Sequence, residues 1–113
     1  WREGADGMNG KAPGFAAERD EAMDRMMRDM HAAAPSGNAD VDFLAMMIPH
    51  HAGAVEMARG VLRHGRDPAT RRLAEDIIAS QTIEIEGMQR RLAVLRRPAP
   101  GTEYPALGGT RGP

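Results

Sequence analysis

The 113-residue sequence contains no cysteine. That removes a disulfide framework, a thiolate metal site and a cysteine nucleophile together. Aromatic residues are few, 4% of the chain, so stacked bases or a large aromatic core have little to draw on. Neither charge dominates: 15 basic residues face 16 acidic ones, for a net charge of −1. A polyanion such as nucleic acid therefore finds no excess of positive charge to neutralise. No run approaches the roughly 20 consecutive apolar residues that cross a bilayer, so no membrane span is expected. Serine occurs only at Ser36 and Ser80, in no arrangement with a base that would serve acyl transfer.

What is present in excess is methionine, nine residues in all. Methionine ordinarily fills irregular gaps in a core, so this number asks for a reason. Outside the cytoplasm free thiols oxidise, whereas a thioether needs no deprotonation and forms no disulfide. A chain with many thioethers and no thiol is suited to an oxidising compartment, and a secreted or periplasmic location is expected. The first residue is Trp1, so any signal peptide is expected to lie outside this sequence.

Glycine and proline concentrate at the ends, with Gly4, Gly7, Gly10, Pro13 and Gly14 at one and eight such residues from Pro98 to Pro113 at the other. Residues 1–14 and 97–113 are read as irregular arms around a single helical domain, 15–96. Its apolar spacing predicts helices over about 15–34, 40–64 and 68–96 and no strand. Asp67 followed by Pro68 is the clearest start, a capping side chain before a residue that needs no N–H. Gly65 closes the helix before it, and Asp40 is read as the cap of the second helix. Pro49 removes one backbone hydrogen bond inside that helix, where a kink is expected.

At 100° per residue the second helix places Phe43, Met46, Met47, His50, His51, Ala54, Met57 and Val61 on one arc. Met46 and His50 are four residues apart, as are Met47 and His51, which sets each pair on neighbouring turns of one face. The third helix has an apolar arc of Leu73, Ala74, Ile77, Ile78, Ile85, Met88 and Leu92, interrupted by Gln81 and Glu84. Buried polar groups need partners. The short turn makes helices two and three an antiparallel hairpin, and counting outward from it projects His50 and His51 onto Gln81 and Glu84.

The first helix gathers Met23, Met26, Met27, Met30 and His31 within about 140°, with no Leu, Ile or Val. Thioether and imidazole together favour Cu(I) and its mimic Ag(I), while Mg²⁺ and Ca²⁺ want oxygen clusters and zinc wants more His, Cys or carboxylate. The candidate ligands are His50, His51, Met46, Met47, Met57 and Met88, with Met23, Met27, Met30 and His31 from the first helix, and Glu84 and Gln81 behind them orienting the imidazoles. An alternative needs no metal: a structural or partner-binding bundle with a buried His–Glu–Gln network. No di-iron Glu-x-x-His motif occurs, and no enzyme is expected.

The stretches DFLAMMIPHHAGAVEMA at 42–58 and LAEDIIASQTIEIEGMQ at 73–89 resemble the domain of unknown function 305 family. The resemblance runs from Asp42 to Leu92 and is carried by Met47-Ile-Pro-His-His51 with Gln81, Glu84, Ile85 and Met88. It implies a ferritin-like helical bundle, usually secreted or periplasmic, with some relatives, of the CopM copper-resistance type, binding copper or silver. Three helices with few aromatics make a thin core, and a second stripe on the third helix, Ser80, Ile83, Gly87 and Val94, offers small residues to another helix. A homodimer that completes a four-helix bundle is therefore expected.

Overall fold

A computed structural model describes residues 14–98 of the chain. Three α-helices form in chain order: α1 from Phe15 to Ala32, α2 from Ala39 to His64 and α3 from Pro68 to Leu95. No strand occurs among the described residues. The stretches read as irregular arms lie almost wholly outside them.

Local chemistry sets the helix ends. The cap of α2 is Asn38, not Asp40: its side-chain oxygen accepts from the N–H groups of Asp40 and Val41. Asp40 lies inside the first turn, where an acidic residue favours the helix dipole. The Asp67 carboxylate caps α3, accepting from the Thr70 N–H at 2.9 Å and hydroxyl at 2.7 Å, with Pro68 leading the helix. At the far side of the turn Arg71 donates to the carbonyls of Leu62 and Gly65, two of the acceptors that a helix end leaves free. Gly65 ends α2 in extended conformation, φ −81° and ψ 159°. α2 itself stays helical through Pro49.

The helices pack antiparallel with α2 in the middle. α1 lies along one side of α2 and α3 along another, while no Cα of α1 comes within 8 Å of one in α3. Close approach of α1 depends on two glycines one heptad apart. A Cβ at Gly53 would sit 2.6 Å from the Met26 sulfur, and one at Gly60 would sit 3.3 Å from the Phe15 ring. Met26 is therefore a packing residue that fills the notch Gly53 leaves.

Because α1 does not close over α3, the interior is shallow. Ala22, Val41, Val55, Ala58, Ala74 and Leu92 are buried, but among the described residues no side chain falls below 2% exposure. Several residues of the expected apolar arcs remain open: Phe43 and Leu73 are each 61% exposed, and Ile77 and Met46 are exposed as well. Their periodicity is that of a core face. No element among the described residues covers them.

Candidate functional site

Two sets of polar contacts fix the helices relative to one another. Near the turn end of α2, the Glu18 carboxylate of α1 accepts from Arg63 Nε at 2.9 Å and from His64 Nε2 at 3.0 Å. Phe15 meets the His64 ring edge-on at 6.5 Å. Further along, Arg25 donates to Glu56. Nothing in the local sequence announces the Glu18 clasp, which joins positions more than 40 residues apart.

The hydrogen bond from Arg63, and after it that from His64, holds the Glu18 carboxyl below its ordinary value of 4.5. A depressed carboxylate contributes stability that is fully present above its unfolded value and is lost as pH falls through the folded one. Urea unfolding of the chain and of Glu18→Gln should therefore differ above pH 4.5 and converge as pH falls below it. Asp42 and Asp67 are also held low, by Ser36 and by Thr70, but both proteins keep them, so they cancel in the difference. A gap that widens on acidification would remove the clasp from the account.

On the α2–α3 side, the residues singled out in sequence separate into groups. Met47, His51, Glu84 and Met88 line a single hollow of about 400 Å³ together with Phe43, Leu44, Gly87 and Arg91. Met57 and Gln81 line a second hollow of about 390 Å³ nearer the turn, among Phe15, Val61, Leu73 and Ile77. His50 and Met46 are exposed on α2, outside the lining of either hollow. Met23, Met27 and His31 are exposed on α1 and Met30 is half-buried; none of the four lines the hollow that holds His51. Of the projected meetings, that of His51 with Glu84 forms, one turn further from the link than the count placed it, while His50 is exposed and makes no hydrogen bond to Gln81.

His51 Nε2 lies 2.7 Å from Glu84 Oε1. An ionised carboxylate only accepts, so Nε2 is the donor, and in the neutral form of the ring the lone pair is then on Nδ1. That Nδ1 is buried and has no hydrogen-bond partner among the described residues, and the same holds for Gln81 Oε1. The His51 side chain is 14% exposed, whereas Glu84 is 57% exposed. Glu84 is thus a rim residue. It interrupts the apolar stripe of α3 without being buried in it, contrary to the expectation of a buried carboxylate. The rings of His50 and His51 are 6.3 Å apart between centroids and tilted by 57°.

These features fit a ligand atom held ready. A histidine that binds a metal through one nitrogen commonly donates the other N–H to a carboxylate, which fixes tautomer and ring orientation. Among the described residues no three His, Asp or Glu side chains gather into a ligand set. An ion at His51 would have to take its remaining donors from the sulfurs of Met47 and Met88, which are soft ligands. Leu44, Gly87 and Arg91 complete the lining and carried no ligand signal in the sequence. No helix among the described residues is long and apolar enough to cross a membrane.

Comparison with known proteins agrees with the sequence motif. The family model described as Domain of unknown function (DUF305) matches residues 1–92, and the chain belongs to that family. A 49-residue stretch is similar, at 43% identity, to uncharacterized protein L153 of Acanthamoeba polyphaga mimivirus. It covers 43% of this chain and 32% of that protein, so the chain spans about a third of the length of the curated relative it matches.

Proposed function

We propose that this DUF305 chain is an extracytoplasmic protein, secreted or periplasmic, that holds a soft monovalent ion, Cu(I) or Ag(I), for sequestration or hand-over and catalyses no reaction. The observation that carries the reading is the buried His51 Nδ1, without a hydrogen-bond partner among the described residues, on a ring that Glu84 orients and whose residue lines one hollow with Met47 and Met88. Leaving such an atom unpaired costs roughly 1–3 kcal/mol. A soft cation offsets that cost without requiring a charged ligand. Met47, His51 and Met88 would hold the ion, and Glu84 would keep the imidazole in the required tautomer. The remaining candidates, Met23, Met27, Met30, His31, Met46, His50 and Met57, are available for weaker, further ions.

The alternative is a metal-free bundle that binds a partner through its exposed apolar face. A His–Glu–Gln network would support it, but Gln81 Oε1 has no partner in that network. The ferritin-like four-helix arrangement belongs to the proposal as well, with a second copy supplying the missing cover.

Anaerobic titration of the full chain with Cu(I) against a competing chelator tests the reading. One tightly held ion per chain is expected, with later ions bound more weakly. Absence of any uptake in competition would leave only the partner-binding alternative.

A further inference from the structure

We propose that a second copy of this chain docks antiparallel onto the face of α2 left open between α1 and α3, about a two-fold axis that sets Phe43 of each copy on Leu73 of the other. This rests on the four-helix reading above and moves its contact from the α3 stripe of Ser80, Ile83, Gly87 and Val94 to the face that carries Phe43 and Leu73.

The open face is continuous. Arg25 and Glu56 mark one edge of the α1–α2 contact, and at 100° per residue Met23 and Met30 turn to the opposite edge. That is the side on which Phe15 meets Met57 and Val61 in the second hollow. On α3 the same side carries Leu73 and Ile77, and on α2 it carries Phe43 beside the first hollow. All three helices thus present large apolar side chains, with exposed His50 among them, toward one side that no described element covers.

The occupant is a second copy for three reasons. A net charge of −1 gives two copies almost no mutual repulsion to overcome. The exposed apolar side chains of this face offer on the order of 500 Å² per chain, and two chains together reach the roughly 1,000 Å² that a specific interface needs. The patch is also laid out for a two-fold contact, which requires one surface to complement itself. The register set by His51 and Glu84 puts Leu73 level with Leu62, so the two most exposed side chains of the face, Phe43 and Leu73, stand at its two ends. They are separated by about 28 Å at 1.5 Å per residue. An axis midway between them passes near Ala54, a small residue, and superposes each end on the other. It also brings Met57 of the second copy level with Met47 and Ile48, beside the proposed ion site.

Cysteine cross-linking tests this directly because the chain has no cysteine. Phe43 and Leu73 are exposed, so Phe43→Cys and Leu73→Cys keep the fold. A mixture of the two single variants should oxidise to a mixed disulfide dimer, while each variant alone gives little. A bridge within one chain is excluded, since each variant chain carries a single cysteine. Faster cross-linking of either variant alone, or none in the mixture at tens of micromolar, would overturn the geometry. Sedimentation gives a second reading: Leu73→Glu should halve the mass of the species in solution, and Ile83→Glu should leave it unchanged. The reverse result would move the contact to the outer stripe of α3, where Ile83 is 68% exposed and a Cβ at Gly87 would meet only the Arg90 guanidinium, at 3.9 Å. Cu(I) titration separates the two proposals. Uptake by wild-type protein that sediments as a monomer overturns only the docking, whereas a cross-linked dimer without uptake supports the docking and overturns the metal reading.

Discussion

Replacing Met47 and Met88 together with leucine is expected to lower Cu(I) and Ag(I) affinity by roughly a hundredfold or more, about 2.8 kcal/mol, while the helical signal stays near that of the parent. Leucine keeps the volume and apolarity of methionine, a change that usually costs under about 1.5 kcal/mol per site, but it has no sulfur lone pair. Both residues are half-buried beside His51 in one hollow. Leucine at Met23, Met27 and Met30 is the control: these thioethers lie on α1, away from that hollow, and their loss should leave the first ion held nearly as tightly. If the α1 variant loses the first ion and the Met47, Met88 variant keeps it, the site lies on α1. His51→Ala should abolish tight binding with little loss of stability, because Glu84 is mostly exposed and its carboxylate turns to water.

That last expectation differs from what the sequence alone implied. An apolar stripe interrupted by Gln81 and Glu84 reads as a buried polar network, and periodicity cannot tell a face buried within the chain from one awaiting another chain. The helices themselves were legible, because Asp67-Pro68, Gly14 and the loop at Pro35–Gly37 punctuate strongly periodic segments. The antiparallel hairpin and the pairing of His51 with Glu84 were also within reach of counting from the turn. The exact register was not, since the link from Gly65 to Asp67 is extended at both ends (ψ 159° and 120°) and shifts the meeting point by a turn.

Other features had no local signal. The Glu18 clasp joins residues on different helices, and only packing distinguishes Met26, which fills the notch at Gly53, from Met23 and Met27, which stay exposed. The same holds for adjacent His50 and His51. Both fall on the apolar arc of α2, yet a 100° step turns one toward α3 and Glu84 and the other outward. A shared motif thus resolves into one residue with an aligned, unpaired nitrogen and one facing solvent.

The ring-nitrogen NMR resonances of His51, followed as Ag(I) is added to the full chain, address that nitrogen atom itself. Nδ1 should shift strongly with the first equivalent as its lone pair coordinates. Nε2 should keep its proton, because Glu84 accepts it. In Glu84→Gln the Nδ1 shift should need more Ag(I), since losing such an orienting partner typically weakens metal affinity by about 10–100-fold. If Ag(I) is taken up while both His51 nitrogens stay in place, or if Nε2 loses its proton and moves instead of Nδ1, His51 is not the ligand assigned to it and the ion is held elsewhere in the chain.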